Sequence, residues 1–255
     1  MPTETPIETR VPKLGLIVPS LNSVMEYEMQ RMAAGALSIH TMRVSAHTTG
    51  TREAVGTREN LLWMDSQVAA AAKLLAHARV DVIFFGCTAG GVVKGPGAEQ
   101  DISRGITAAT GSPAGTTIAA TCDALRALGA ARVSVASPYE AWLNDYLRAF
   151  LEQSGFTVTA IDGFSAGAQI AAGPQHAARV TPQQVADLAI AVDRPQAQAI
   201  FVSCTNFRTL EIIEPLEQKL GKPVLTATSA SMWKMLRLAG DARAIAGAGE
   251  LFRKA

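Results

Sequence analysis

Short apolar segments of strand length recur along the chain, and segments of helical period separate most of them. The strand-like segments cover residues 14–18, 38–44, 80–85, 132–136, 157–161, 199–202 and 223–225. The segments of helical period cover residues 63–77, 118–128, 139–153, 181–192 and 209–220. Strands that alternate with helices of this length are typical of βαβ units, whose neighbouring strands run parallel. The alternation therefore predicts an α/β fold with parallel sheets.

The chain also contains an internal repeat. In each half, a strand that ends in a proline turn is followed, at a similar distance, by a strand that ends in cysteine. Pro19 precedes Cys87 by 68 positions, and Pro138 precedes Cys204 by 66 positions. Because both the strand pattern and the spacing recur, the sequence predicts two similar lobes related by a pseudo-twofold axis. We expect residues 11–114 to form the N-terminal lobe and residues 115–224 to form the C-terminal lobe.

Charge and apolar content exclude several classes of partner. The formal net charge is +1, which implies no polyanionic partner such as a nucleic acid. No apolar run approaches the ~20 residues that a membrane-spanning helix needs, so no membrane is expected. Residues 1–10 are polar and acidic without an apolar signal core, and they are predicted to be a loose tail outside the fold. The expected location is cytoplasmic.

Motifs for metals and common cofactors are missing from the sequence. The three cysteines cannot pair completely and none has a CxxC partner, which disfavours a disulfide framework or a structural zinc site. The four histidines show no metal-ligand spacing. The glycine-rich stretch 86–97 lacks phosphate-loop spacing, no GxGxxG follows the first strand, and no GxSxG elbow is present. We therefore expect neither a metal nor a cofactor.

Two of the cysteines stand where an α/β fold places its chemistry. Cys87 and Cys204 each end a predicted parallel strand, and ligands of open parallel sheets bind beyond the carboxyl ends of strands. Each is followed by a loop and a probable helix start, whose N–H groups bind anions and lower a thiol pKa. The alternative is that each is a small buried hydrophobe. Their matched positions in the repeat favour a shared functional role, whereas Cys122 lies on an apolar helix stripe and is interpreted as core.

Polar residues near the other strand ends are further candidates. Asn22 and Tyr139 follow the two proline turns, so the repeat predicts that both line the cleft, although turn chemistry alone also explains Asn22. Thr116 or Thr117 precedes a helix and caps it, with a hydroxyl for a ligand as the alternative. Among these motifs the cations are Lys94 and Arg208 only. Carboxylates are therefore expected to be bound mainly by neutral donors.

These residues resemble a known group of enzymes. Pro-Ser-Leu-Asn-Ser-Val-Met-Glu at 19–26, Gly-Cys-Thr at 86–88, Ser-Pro-Tyr at 137–139 and Ser-Cys-Thr at 203–205 carry the resemblance. The chain resembles the aspartate/glutamate racemase superfamily, and within it the maleate cis–trans isomerase and arylmalonate decarboxylase branch. The resemblance covers about residues 12–240.

The resemblance implies a cofactor-independent enzyme with two pseudo-symmetric Rossmann-like lobes, the first completed by residues 225–240, and a small carboxylate bound between them. Cys87 and Cys204 would be the catalytic residues. The substrate-binding residues implied are Pro19, Asn22, Thr88, Ala89, Thr117, Tyr139, Thr205 and Asn206. Homodimerisation is common in the family, and no sequence feature here establishes it.

The choice of reaction stays open at this level. Decarboxylases of the branch keep only the second cysteine, so the presence of both favours isomerisation or racemisation. The alternatives are an arylmalonate-type decarboxylase with Cys204 as proton donor, and a non-catalytic carboxylate-binding protein. Maleate isomerases carry an Asn in the segment aligned with 164–171, where this chain has none and Gln169 is the candidate replacement. Thr88 and Thr205 also resemble the racemases more than the maleate isomerases.

Overall fold

The structure is a computed structural model, and it describes residues 11–46, 57–163 and 176–254. The strands are β1 Lys13–Pro19, β2 Ser38–Val44, β3 Val82–Phe85, β4 Ala114–Thr116, β5 Arg132–Ala136, β6 Thr157–Asp162, β7 Ala199–Val202 and β8 Val224–Thr226. The α-helices are α1 Met25–Ala33, α2 Arg58–His77, α3 Thr88–Val92, α4 Ala98–Thr110, α5 Thr117–Ala127, α6 Ala141–Gln153, α7 Pro182–Val192, α8 Ile213–Leu220, α9 Ala227–Leu238 and α10 Glu250–Lys254. None of the helices in these ranges is long and apolar enough to cross a membrane.

The described strands form two parallel sheets of four, with the orders β2-β1-β3-β4 and β6-β5-β7-β8. The two orders are equivalent, which confirms the α/β fold with two similar parallel sheets. Strands β3 and β7 are buried along their whole length because helices cover both faces of each sheet. The predicted lobe boundary between residues 114 and 115 falls inside β4, which pairs with β3. The exact limits of the lobes stay a prediction.

The seven strands predicted from apolar runs are all present, and the eighth was missed. Strand β4 has only three residues, Ala-Gly-Thr, and carries no apolar run. The sequence was also wrong about residues 209–212, which were predicted to be helical, whereas α8 begins at Ile213. These residues form a turn instead, in which the Ile212 N–H donates to the Thr209 carbonyl at 3.0 Å while the backbone N–H groups of Thr209 and Leu210 donate to the carboxylate of Glu28.

Helices α5 and α9 pack against each other where the two sheets meet. Helix α9 follows the last strand of the second sheet and contacts β3 and β4 of the first sheet. Cys122 lies on the buried side of α5, in agreement with its interpretation as core. The carboxyl ends of β3 and β7 continue into the segments that carry the other two cysteines.

Candidate active site

Cys87 and Cys204 occupy equivalent places in the two sheets. Each lies two residues beyond a central strand, Cys87 after β3 and Cys204 after β7. The backbone N–H of Gly90 donates to the Cys87 sulfur at 3.3 Å, and the backbone N–H of Asn206 donates to the Cys204 sulfur at 3.4 Å. Both thiols are free and buried. The repeat thus places one buried thiol, held by a backbone donor, at the end of each sheet.

The two thiols are neighbours, because a charge on Cys87 raises the pKa of Cys204 and charges on both raise the pKa of Tyr139. Burial raises the pKa of Cys204 to about 12, backbone N–H groups and the Tyr139 hydroxyl oppose the rise, and a negative charge on Cys87 adds to it. Burial likewise raises the pKa of Cys87 to about 11, against the N–H groups of Gly90 and Ala89. The expectation that the turns lower the thiol pKa is therefore wrong for the ligand-free site, since desolvation outweighs the N–H donors.

Tyr139 is near enough to both cysteines for their charges to act on it, and it is almost completely buried. Its pKa is raised well above the ordinary value, first by burial and then by the charges of Cys204 and Cys87. The hydroxyls of Ser203 and Thr88 lie near enough to offset part of that rise. Tyr139 therefore stays protonated and can serve only as a hydrogen-bond donor or a neutral acceptor at ordinary pH.

Two buried hydroxyls flank the cysteines without a hydrogen-bond partner of good geometry. Thr88 Oγ1 comes directly after Cys87, and Ser203 Oγ comes directly before Cys204. Both side chains are buried, and a buried hydroxyl without a partner is costly. The arrangement suits a ligand with several acceptor oxygens, which would give both hydroxyls their missing partner. Ser203 was not among the candidates from sequence, although it stands in the Ser-Cys-Thr motif.

Thr205 has the opposite situation, because its hydroxyl is already saturated. Its Oγ1 donates to the Gly86 carbonyl at 3.1 Å and accepts from Asn22 Nδ2 at 3.0 Å. The carbonyl belongs to the residue before Cys87, so this hydroxyl joins the loops of the two cysteines. The single proton of Thr205 is therefore engaged by the Gly86 carbonyl, and substrate binding by Thr205 stays a prediction.

Asn22 and its neighbours form the rest of this junction. Asn22 Oδ1 accepts the N–H groups of Val24 and Met25 at 3.1 and 3.0 Å, which fixes the turn before α1. The Asn206 side chain accepts the N–H of Ser23 at 3.0 Å. Both observations agree with the turn chemistry weighed from sequence and leave one Nδ2 proton of Asn22 uncommitted.

The backbone of Cys204 is strained. Its φ is 112°, a conformation rarely adopted by residues other than glycine, and one that costs of order 1–3 kcal/mol. Cys87 has an ordinary φ of −145°. Such strain persists only when the surroundings hold the residue in place. The hydrogen bonds of Thr205 and Asn206 to the first half of the chain supply part of that restraint.

Three of the remaining candidates lie near the site in less direct roles. Pro19 ends β1, and its carbonyl accepts the N–H of Asn22 at 2.9 Å. Ala89 contributes its backbone N–H to the surroundings of the Cys87 sulfur. Thr117 was expected to offer a hydroxyl to the ligand, but this hydroxyl is engaged by Ser231 of α9 at 3.0 Å. The cap of α5 is Thr116.

The two cations near the motifs are paired away from the thiols. Lys94 contacts Asp65, and Arg208 contacts Glu211 at 2.8 Å. Within residues 11–46, 57–163 and 176–254, no three His, Cys, Asp or Glu side chains come together as they would around a metal. The segment with Gln169 and the tail 1–10 lie outside the described residues.

Comparisons with known proteins point to one group of enzymes. A family model described as arylmalonate decarboxylase matches residues 14–252. A maleate isomerase from Nocardia farcinica is 30% identical over 95% of this chain and 96% of that protein. An arylmalonate decarboxylase from Bordetella bronchiseptica is 35% identical over 56% of this chain and 59% of that protein. The solved structure of a Nocardia farcinica maleate cis–trans isomerase mutant with a covalently bound succinylcysteine intermediate has a TM-score of 0.87 and 27% identity, and covers 96% of this chain and 100% of that one.

Proposed function

The chain belongs to the arylmalonate decarboxylase family, and we propose that within it the protein is a cofactor-independent cis–trans isomerase of a small unsaturated dicarboxylate such as maleate. The observation that carries the proposal is the pair of buried thiols, Cys87 and Cys204, which stand at equivalent strand ends of the two sheets and whose charges both act on Tyr139. The maleate isomerase relative matches along almost the whole chain, whereas the decarboxylase relative matches little more than half of it. The succinylcysteine in the Nocardia farcinica structure is a cysteine adduct of the kind that this mechanism requires.

The two pKa values suggest which cysteine attacks. A charge on one thiol disfavours a charge on the other, so the active pair holds one thiolate and one thiol. Cys87 has the lower pKa, about 11 against about 12 for Cys204, because both thiols receive backbone N–H groups but the charge of Cys87 raises the pKa of Cys204 further. This order agrees with the family resemblance, which makes Cys87 the nucleophile and Cys204 the proton donor.

The reaction then proceeds by addition and elimination. The Cys87 thiolate forms a carbon–sulfur bond at one carbon of the cis double bond. The π electron pair of the double bond moves to the neighbouring carbon and takes the proton of Cys204 there. The carbon–carbon bond is now single and rotates. The Cys204 thiolate removes a proton from the same carbon, the double bond re-forms in the trans geometry, and Cys87 leaves as thiolate. Proton and electron pair are restored, and no other reactant is needed.

Neutral donors are proposed to hold the two carboxylates. Thr88 Oγ1 and Ser203 Oγ lack a partner of good geometry, and both lie near the Tyr139 hydroxyl, on which the charges of the two thiols also act. Fixed neutral donors in a site that excludes water stabilise an oxyanion well without a mobile counter-ion.

Two other reactions use the same residues differently. A racemase would use Cys87 and Cys204 as base and acid on opposite faces of one carbon, and a decarboxylase would need only Cys204 as proton donor. The match to the family model alone does not separate them. The cytoplasmic location and a homodimer stay predictions.

Proton NMR of the purified protein with maleate, with amino-acid enantiomers and with arylmalonates, each without added cofactor, tests the proposal. We expect the vinyl signal of maleate to be replaced by that of fumarate. Loss of carbon dioxide from an arylmalonate while maleate is unchanged would establish the decarboxylase instead. The Cys122→Ser variant is a matched control, because Cys122 is a buried thiol outside the site.

A further inference from the structure

Glu28 of α1 carries a buried carboxylate that reaches a segment 181 residues away. Its oxygens accept the backbone N–H of Thr209, the backbone N–H of Leu210 at 2.7 Å and the Thr209 hydroxyl at 3.0 Å. The side chain is 1% exposed. The residues it holds follow Cys204 by five and six positions.

This carboxylate lies in a continuous set of contacts between the start of α1 and the segment 205–212. Asn22 contacts Thr205, Ser23 contacts Asn206, and Arg31 contacts Glu211 at 2.6 Å. Glu28 is the most buried charged residue among them. The segment begins directly after the strained backbone of Cys204.

Strain of this kind needs external restraint, and the segment has little regular structure of its own before α8 begins at Ile213. Glu28 accepts the backbone N–H groups of two residues in this segment, which lies between Cys204 and α8. It thereby fixes where the segment turns away from Cys204.

We propose that Glu28 is a positioning residue for Cys204, whose carboxylate anchors the segment 205–212 to α1 and so holds the strained Cys204 thiol toward its partner Cys87. The inference rests on the proposed function for the role of Cys204, but the anchoring itself is measurable without turnover.

A second buried carboxylate provides the matched control. Glu217 of α8 accepts the backbone N–H of Val224 at 3.1 Å and that of Glu250 at 2.9 Å, and it pairs with Arg253. Like Glu28, it ties distant backbone together, but none of its partners adjoins either cysteine of the site. Removal of Glu217 therefore reports the general cost of losing such an anchor.

The test is alkylation of the folded protein by iodoacetamide, with the rate at each cysteine followed by peptide mass spectrometry. Glu28→Ala leaves two buried N–H groups without an acceptor, so the segment should open more often. The labelling rate of Cys204 relative to that of Cys122 should therefore rise by at least about tenfold. Labelling of Cys87 relative to Cys122 should stay within about twofold of wild type on the same reasoning. The Glu217→Ala variant should show no selective change at Cys204.

The conservative variant separates anchoring from bulk stability. In Glu28→Gln the amide oxygen accepts the two N–H groups and the amide nitrogen donates to the Thr209 hydroxyl, so labelling should return to the wild-type rate. If Glu28→Ala does not fold, Thr209→Val removes the hydroxyl contact alone and should give the same selective rise, roughly threefold. Equal acceleration at all three cysteines, no acceleration at Cys204, or a Gln variant that labels like Ala would overturn the inference.

Turnover of maleate is measured on the same variants. Because Cys204 acts in the proton steps, Glu28→Ala should lower kcat by about tenfold or more while KM changes by less than about threefold. A selective rise in Cys204 labelling in a protein whose wild type does not convert maleate would refute the proposed function and leave the anchoring by Glu28 established. Normal kcat in Glu28→Ala would overturn the positioning role.

Discussion

Thr88 and Thr205 follow the two cysteines at equivalent sequence positions, yet the structure predicts opposite consequences when each is replaced by valine. Thr205 Oγ1 has both a donor and an acceptor partner, Asn22 Nδ2 at 3.0 Å and the Gly86 carbonyl at 3.1 Å. Thr88 Oγ1 has no partner of good geometry. Valine has nearly the shape of threonine, so the comparison isolates the hydroxyl.

The magnitudes follow from these contacts. Thr205→Val leaves one buried donor and one buried acceptor unsatisfied, at ~1–3 kcal/mol each, so the free energy of unfolding should fall by about 2–6 kcal/mol. Thr88→Val removes a hydroxyl whose contact with Tyr139 has poor geometry, so the free energy of unfolding should stay within about 0.5 kcal/mol of wild type or rise. A hydrogen bond from Thr88 to a substrate carboxylate is worth ~1.5–3 kcal/mol, so kcat/KM should fall by about 10- to 10²-fold.

Urea denaturation and steady-state kinetics on the same preparations check both variants. Thr205→Val should show the lower denaturation midpoint with an unchanged slope, and Thr88→Val should show the normal midpoint with impaired turnover. Equal losses of stability in the two variants, or normal turnover in Thr88→Val, would refute the distinction drawn between a structural and a ligand-binding hydroxyl.

Three further predictions concern the thiols and the packing beneath them. Because the pKa of Cys87 is about 11, kcat/KM should rise about tenfold per pH unit between about pH 6 and about pH 9, and a plateau below pH 8 in steady-state assays would contradict this. The unfolded chain loses its thiol protons near pH 9 while the folded thiols keep theirs to about 11 and 12, so the unfolded state binds fewer protons above pH 9. The free energy of unfolding should then fall by ~1.4 kcal/mol per pH unit per thiol, and the double variant Cys87→Ser/Cys204→Ser should flatten that slope in urea titrations at increasing pH. In Gly91→Ala the new Cβ would meet Ile118 Cγ2 at 2.7 Å, which should cost ~1–3 kcal/mol in thermal denaturation, whereas Gly105→Ala meets nothing within 4 Å and should stabilise α4 by ~0.5–1 kcal/mol.

The sequence predicted what depends on local pattern and repetition. The central strands carry continuous apolar runs, and the repeat of Pro19 to Cys87 indicated that Cys204 has an equivalent place. Strand β4 was missed because three small residues carry no periodic signal. Residues that act through distant contacts were also beyond reach, since nothing in the sequence around Glu28 tells that its partners lie 181 positions later.

The thiol pKa values and the hydrogen-bond partners of the buried hydroxyls also could not be predicted from the sequence. A strand-end thiol before a helix suggested a lowered pKa, but complete burial reverses the direction. Thr88 and Thr205 look alike in sequence. Only the structure shows that the Thr205 hydroxyl donates to a backbone carbonyl, whereas the Thr88 hydroxyl has no hydrogen-bond partner of good geometry. Both outcomes depend on how tightly the two halves of the chain close around the thiols.

Turnover of the single cysteine variants on one substrate tests the two-thiol mechanism most directly. Cys87→Ser and Cys204→Ser should each lower kcat by at least ~10²-fold, since each removes a group that forms or breaks a bond in the reaction. Cys122→Ser should keep nearly wild-type turnover, because Cys122 lies in the core of α5. Near-full activity in Cys87→Ser together with an inactive Cys204→Ser would contradict the isomerase mechanism and identify the protein as a decarboxylase with one acting thiol.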